Sequence, residues 1–138
     1  MLEQQIYSPH KSQGVYFDLA VIYHDLNGRY FNHTIKADLA WGQRRSKTHK
    51  ASLRLGSYHP VKRRITINPC LDQAIVPYIC LERIVFHEML HQYFPSKKSP
   101  SGKNLVHYRE FNEFEKKYPY LEQADFWLKT NLWRLLKF

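Results

Sequence analysis

Residues 77–95 of the chain read PYICLERIVFHEMLHQYFP, and they give the strongest indication of the fold. Between its two prolines, apolar side chains cover nearly the whole circumference that a helix would present, which is typical of a helix at the centre of a domain. Pro77 suits a first helical turn, whereas Pro95 cannot continue a helix. The sequence therefore predicts a buried central helix that begins near Pro77 and ends before Pro95.

The middle of this predicted helix carries a His-Glu-x-x-His pattern, formed by His87, Glu88 and His91. A four-residue step is about 400° on a helix, so both imidazoles lie on one side and can hold one zinc ion. Glu88 can act as the general base that takes a proton from a zinc-activated water. Chance also produces so short a pattern, but a glutamate in such an apolar segment is costly to bury without a partner such as zinc.

A catalytic zinc usually has three protein ligands and one open position, so one more ligand is expected. The metzincin spacing is absent, because Phe94 and Lys97 occupy the positions that would need Gly and His. We predict His107 as the third ligand, since the polar segment before it leaves the chain room to fold back over the metal. Glu110 and Glu113 are the alternatives, as carboxylates offered by a downstream helix.

The hydrophobic period changes on both sides of the central helix. Residues 1–14 predict an irregular lead-in, and intervals of three and four predict a helix over 15–31. Between 35 and 69 the apolar residues alternate, which predicts antiparallel strands with a turn over 58–62.

Residues 96–104 are polar and predict a loop, followed by helices over 106–118 and 120–136. No internal repeat is visible, so residues 15–138 are predicted to form one domain. The predicted class is α+β, with a small antiparallel sheet packed against the central helix and additional helices.

The net charge of +9 is concentrated in one part of the chain. Between Leu39 and Leu71 there is no acidic residue, while eight basic residues occur there: Arg44, Arg45, Lys47, Lys50, Arg54, Lys62, Arg63 and Arg64. A surface of this kind can bind nucleic acid, although basic surfaces also serve solubility or dock acidic protein segments. We predict these eight residues as candidate nucleic-acid contacts.

The sequence also predicts the compartment. It contains no signal-peptide pattern and no apolar run long enough to span a membrane. Cys70 and Cys80 belong to no Cys-x-x-Cys pair and are predicted to be two buried, reduced thiols. We therefore expect a cytoplasmic protein, or a nucleoid or nuclear one if it associates with DNA, rather than a secreted or membrane protein.

Several blocks together resemble the SprT-like (Spartan-type) zinc metallopeptidase family over about residues 15–118. They occur in that family's order and at similar spacing: Asp25-Leu26-Asn27-Gly28-Arg29-Tyr30-Phe31, Trp41, Ile65-Thr66-Ile67-Asn68-Pro69, His87 to His91, and His107 with Phe111. The resemblance implies a zincin-like fold, His107 as third zinc ligand and a substrate paired along a sheet edge. Many relatives carry a C-terminal zinc ribbon, whereas this sequence resembles a minimal catalytic domain.

We therefore expect a zinc-dependent endopeptidase with one catalytic Zn²⁺ on the three histidines and Glu88 as base and later as acid. Its substrate would be an extended or unfolded protein segment, and Tyr58 or His59 would stabilise the oxyanion. Some relatives degrade proteins crosslinked to DNA, which would give the basic segment a purpose. One alternative is a basic nucleic-acid-binding module with a structural zinc and little hydrolytic activity. Another, a hydrolase of small amides, would need a deep closed pocket.

Overall fold

The computed structural model describes residues 9–43 and 54–136, which form a mixture of helices and small sheets. The predicted α+β class is confirmed. The elements in chain order are α1 (Pro9–Ser12), α2 (Leu19–Tyr30), β1 (Asp38–Trp41), β2 (Gly56–His59), β3 (Arg64–Ile67), a 3-10 turn (Pro69–Leu71), α3 (Tyr78–Tyr93), β4 (Lys97–Lys98), β5 (Asn104–Leu105), α4 (Arg109–Glu115) and α5 (Leu121–Leu135). Within the described ranges, no helix has the length and apolar character needed to cross a membrane.

Helix α3 is the predicted central helix, and its bounds agree with the prolines that enclose it. Pro77 is extended immediately before the helix, and the amide of Phe94 closes it by donating to the carbonyl of Leu90. The helix contacts β2, β3, α2, α4 and α5. Because it has neighbours on several sides, apolar residues cover most of its circumference instead of a single stripe.

The sheet is mixed, so the prediction of an antiparallel sheet is wrong for one strand. β2 and β3 form an antiparallel hairpin, whereas β1 runs parallel to β3 on its other side. β2 runs opposite to β1, and β3 runs opposite to β2. β3 therefore runs in the same direction as β1. Alternating hydrophobicity indicates strands but carries no information about their direction. The hairpin turn occupies 60–63, slightly later than predicted.

The N-terminal lead-in is partly helical, contrary to the prediction of an irregular segment. α1 packs against β1, where the indole of Trp41 donates a hydrogen bond to the carbonyl of Ser12 at 3.0 Å. α2 begins later than predicted, because Asp18 caps it by accepting from the amide of Ala20. The three amides before this cap instead donate to the carboxylate of Asp72, which precedes α3: those of Val15, Tyr16 and Phe17.

The segment predicted as a loop over 96–104 contains strand β4 and the first residue of β5, which pair antiparallel. Gly102 supplies the left-handed conformation of their turn, with a φ of 87°. Helices α4 and α5 are both shorter than predicted, since 106–108 and 116–120 are not helical. Tyr118 is buried between these two helices, and its hydroxyl donates to Glu82 of α3 at 2.7 Å.

Candidate metal centre

Three imidazoles meet where the chain entering α4 passes over α3. His87 and His91 lie one turn apart on α3, and His107 follows β5. The ring centroids are 4.9 Å apart for His87 and His91, 5.0 Å for His87 and His107, and 4.9 Å for His91 and His107. One nitrogen of each ring lies within 4.8 Å of the others. The structure therefore brings together the three histidines predicted as ligands.

The ring of Phe111 packs against all three imidazole rings. Its side chain is fully buried, and its ring centroid lies 5.2 Å from that of His87 and 4.9 Å from those of His91 and His107. A buried aromatic ring restricts the orientation of the imidazoles that pack on it. Phe111 therefore limits the freedom of each histidine to turn away from the others.

The spacing of the nitrogens fits a tetrahedral metal ion. Nε2 of His91 and Nε2 of His107 are 3.3 Å apart. Two nitrogens bound to zinc at about 2.0–2.1 Å in tetrahedral geometry would be about 3.3 Å apart. Two imidazole nitrogens at this distance either share a proton or face a common cation, and the convergence of a third ring from His87 favours the cation.

Burial keeps two of these rings neutral. The pKa of His91 is lowered to about 4 by burial and by the neighbouring charges of His87 and His107. The pKa of His107 is also lowered, by burial first and then by His87. Because a metal binds the free lone pair of neutral imidazole, both rings are in the binding form at neutral pH.

The carboxylate of Glu115, at the end of α4, contacts the other nitrogen of His87. Nδ1 of His87 and Oε2 of Glu115 are 2.6 Å apart. Burial alone would raise the pKa of Glu115, but hydrogen bonds from His87 and Arg83 outweigh it and hold the pKa at about 2. An ionised carboxylate only accepts hydrogen bonds, so Nδ1 is the donor in this contact, and Nε2 is the nitrogen that can face a metal.

Glu88 lies beside the histidines and against β2. Its side chain is buried, and its Oε1 is 4.0 Å from Nε2 of His91. Burial raises the pKa of Glu88 to about 7, although the nearby charges of His87 and Arg54 oppose this. Gly56 of β2 leaves room for the carboxylate, since a Cβ there would lie 3.0 Å from Oε2. A carboxyl with a pKa near neutrality can both take up and release a proton.

The two carboxylates considered as alternative ligands point elsewhere. Glu110 pairs with Lys97 at 4.0 Å, and Glu113 pairs with Arg109 at 3.3 Å. Both glutamates are exposed. In the described ranges, the group that could hold a metal consists of histidines alone.

The two residues considered for the oxyanion make other hydrogen bonds. The hydroxyl of Tyr58 accepts a hydrogen bond from Gln92 at 3.0 Å. Successive side chains of a strand alternate between faces, so His59 lies on the face of β2 opposite to Tyr58 and Gly56, away from α3. Its Nδ1 accepts from the amide of Lys62 at 3.2 Å. Tyr58 therefore links β2 to α3, and His59 stabilises the hairpin turn.

The predicted basic surface is divided in the part of the chain that the structure describes. Arg54 lies just before β2, near Glu88, whereas Lys62 and Arg63 lie in the turn at the opposite end of β2. Arg64 is half-buried in β3, and its Nε finds no hydrogen-bond partner among the described residues. The remaining four predicted contacts lie outside the described residues: Arg44, Arg45, Lys47 and Lys50.

A basic groove lies at the turn end of the sheet. Two adjoining cavities of about 420 and 530 Å³ share Ile35, Lys36 and Arg63 in their walls. Lys62 and Asp38 line the second cavity, so three cations face one carboxylate. Arg63 is left-handed, with a φ of 50°, at a position where glycine or asparagine is usual.

Glu115 is the residue of this centre that sequence analysis missed. A signal for it exists, because Phe111 and Glu115 are four residues apart in α4 and therefore share one face. Once Phe111 is placed beneath the histidines, Glu115 follows on the same side. The spacing alone does not show which face of α4 meets α3.

No family model matches this chain, and neither curated proteins nor solved structures show a significant similarity to it.

Proposed function

We propose that this protein is a zinc-dependent endopeptidase of the SprT-like type, with a zincin-like active site and one catalytic Zn²⁺. The observation that carries the proposal is the convergence of His87, His91 and His107, with 3.3 Å between two of their nitrogens, beside a buried glutamate. A structural zinc usually has four protein ligands, whereas a catalytic one has three and an open position. Three histidines at the protein surface fit the catalytic arrangement.

The protein side chains divide the chemistry between them. When bound, zinc supplies a Lewis acid that polarises the scissile carbonyl and activates a water molecule. Glu88 accepts the proton of that water as it attacks the carbonyl carbon, and then delivers it to the leaving amine. The raised pKa of Glu88 suits both transfers, because the group is then neither a strong acid nor a strong base near pH 7.

The surroundings of Glu88 favour an extended polypeptide as substrate. Among the described residues, β2 is an edge strand of the three-stranded sheet, and its Gly56 lies against Glu88. An edge strand offers amides and carbonyls with which an extended chain can pair. His107 is exposed, so the centre opens directly to solvent instead of into a closed pocket for small amides. A substrate paired with β2 would place its backbone next to the general base.

The proposal is tested by Glu88→Gln. The variant removes the base but none of the three histidine ligands. We expect it to bind one zinc ion per chain while its cleavage of unfolded casein falls by about 10²- to 10⁴-fold. Zinc content is measured by atomic emission and cleavage by release of labelled peptides.

Replacement of exposed Glu113 by Gln provides the matched control, which should keep both zinc and activity. Equal cleavage by Glu88→Gln and the parent would contradict the proposed mechanism. Absence of zinc from the parent would contradict the metal centre itself.

We also propose a second function, the binding of single-stranded nucleic acid, which the basic groove favours. Its three cations, Lys36, Lys62 and Arg63, can contact phosphates. The open shape of this groove leaves the three cations accessible to a phosphate backbone. Arg63 retains a long cation at a strained backbone position, which is consistent with a role for its side chain.

A salt titration tests this second function. Replacing Lys62 and Arg63 by Gln should weaken oligonucleotide binding and reduce the slope of log affinity against log salt by about 0.7 for each lost phosphate contact. The control replaces exposed Lys116 and Lys129 by Gln, which changes the net charge equally. The same loss in both variants would contradict a specific groove.

A further inference from the structure

Oε2 of Glu115 is shared by two side chains of α3. It lies 2.6 Å from Nδ1 of His87 and 2.5 Å from Nη1 of Arg83. The side chain of Glu115 is 13% exposed and that of Arg83 is 14% exposed. Because both groups are largely removed from water, the geometry of this contact is held by the protein and not by solvent.

Arg83 is itself held from a third helix. Its Nε lies 2.6 Å from Oδ1 of Asp125 in α5, and its Nη2 lies 3.2 Å from Oδ2 of the same residue. A guanidinium that binds both oxygens of one carboxylate has little freedom to rotate. With its Nε and Nη2 bound to Asp125, the guanidinium of Arg83 directs Nη1 at Glu115. A continuous series of hydrogen bonds therefore runs from α5 through α3 to α4 and back to His87.

We infer that Glu115, held in place by Arg83 and Asp125, is a positioning residue that presents Nε2 of His87 to the metal. The inference rests on the proposed zinc centre. It also gives α5 a role at that centre, because its Asp125 fixes the arginine on which Glu115 depends.

The physical reason lies in the two nitrogens of imidazole. A neutral ring carries its proton on either Nδ1 or Nε2, and only the nitrogen without the proton can bind a metal. A carboxylate 2.6 Å from Nδ1 keeps the proton there and aligns the ring. Arg83 prevents Glu115 from turning away, since it binds the same oxygen from another direction.

Glu113 provides a contrast on the same helix. It is two residues before Glu115, and its salt bridge to Arg109 lies at the surface, with both side chains more than half exposed. That pair can stabilise α4 but makes no contact with a histidine among the described residues. If Glu115 only stabilised α4, as Glu113 does, its carboxylate would not need a histidine as a hydrogen-bond partner.

Zinc affinity is the first test, measured by competition with a chromophoric chelator. Relative to the parent, Glu115→Gln is expected to bind zinc about 10- to 100-fold more weakly. Asp125→Asn, which leaves the ligands and Glu115 unchanged, is expected to weaken binding by a smaller factor. Glu113→Gln should bind zinc as tightly as the parent does. His107→Ala, which lacks a ligand, should bind zinc far more weakly than Glu115→Gln or Asp125→Asn.

A second readout separates positioning from general destabilisation. Nitrogen NMR of labelled histidine reports which ring nitrogen of His87 carries the proton. We expect Nδ1–H in the parent and in Glu113→Gln, and a mixture of both forms in metal-free Glu115→Gln. Thermal unfolding of each variant verifies that it is folded. If Glu115→Gln does not fold, zinc affinity and the His87 proton are measured in Asp125→Asn instead. The side chain of Asp125 is half exposed, so this substitution is expected to leave the protein folded.

The outcomes distinguish the inference from the function on which it rests. Parent-like zinc affinity and an unchanged His87 proton in folded Glu115→Gln would overturn the inference while leaving the zinc centre intact. The same results in Asp125→Asn would overturn the role of α5 and, if Glu115→Gln does not fold, the inference as a whole. A parent that binds no zinc at the three histidines would overturn both the centre and its support.

Discussion

At the scale of residues, the two buried glutamates of α3 have opposite surroundings. Glu82 is 6% exposed, and its carboxylate accepts from the hydroxyl of Tyr118 at 2.7 Å and from Arg29 at 3.1 Å. Glu88 is equally buried, but no hydrogen bond reaches it from the residues that the structure describes. The oxygens of Glu88 are therefore left to hydrogen-bond to a reacting group or to a metal-associated water. This contrast separates a structural glutamate from a candidate catalytic one.

The pH dependence of stability provides a residue-scale prediction for Glu88 in the metal-free protein. Burial raises its folded pKa from 4.5 to about 7, so the folded state binds more protons than the unfolded state between these values. Stability associated with the protonated carboxyl is therefore lost as the pH rises through this range, by about 3 kcal/mol in all. Glu88→Gln removes this loss.

Urea unfolding in the presence of a chelator measures the effect. The difference in free energy of unfolding between Glu88→Gln and the parent should widen from pH 4.5 to pH 7.5 in favour of the variant. Since the histidines titrate in both proteins, their contributions largely cancel in the comparison. A difference that stays constant with pH would show that Glu88 has an ordinary pKa.

At the scale of elements, the centre depends on how closely β2 approaches α3. A Cβ on Gly56 would lie 3.0 Å from Cγ2 of Ile84 and from Oε2 of Glu88. A side chain at this position would press on both groups, so the close approach of the strand to Glu88 favours glycine. The same close approach places the edge of β2 where an extended substrate would meet the histidines.

Gly56→Val is expected to displace Glu88 and lower peptidase activity by at least about 10-fold, because small misplacements of catalytic groups have large effects on rate. Zinc affinity should change little, since the histidines do not contact Gly56. Ser57→Val is the control, as its side chain is on the opposite face of β2. Comparable activity in the two variants would argue against the proposed role of the close approach.

At the scale of the whole molecule, the centre is built by elements far apart in sequence around one apolar core. Buried side chains of α2, β3, α3, α4 and α5 form a single cluster, which includes Cys70 and Cys80. Both cysteines are free thiols, and burial raises the pKa of each to about 11. The predicted burial of both thiols is thus confirmed, whereas their reduced state stays a prediction.

Both thiols should react slowly with a disulfide reagent at pH 8 in the native protein. A thiol with a pKa of about 11 is thiolate in only about one molecule in a thousand at that pH, and burial also limits access. In urea without reductant, two thiols per chain should react rapidly. Rapid reaction of the native protein would contradict the packing, and no reaction in urea would indicate a disulfide.

Much of the fold was predictable because local physics determines it. Two prolines and a continuous apolar circumference located α3, and alternation located strands around the hairpin. The predicted ends of helices were less accurate where a side chain distant in sequence binds the backbone. Asp72 does so by accepting hydrogen bonds from the amides before α2. The direction of β1 was wrong because it depends on chain reversals that no local pattern records.

Local sequence is enough to predict the helix that carries His87, Glu88 and His91, since helical periodicity relates residues four apart without any tertiary contact. It also indicates His107 by its place after a polar segment. That Glu115, and not Glu110 or Glu113, turns toward this centre is visible only in the three-dimensional structure, because the facing of α4 depends on its packing against α3. The basic segment was likewise divided by the path of β2, since charge in a sequence does not show which residues share a surface.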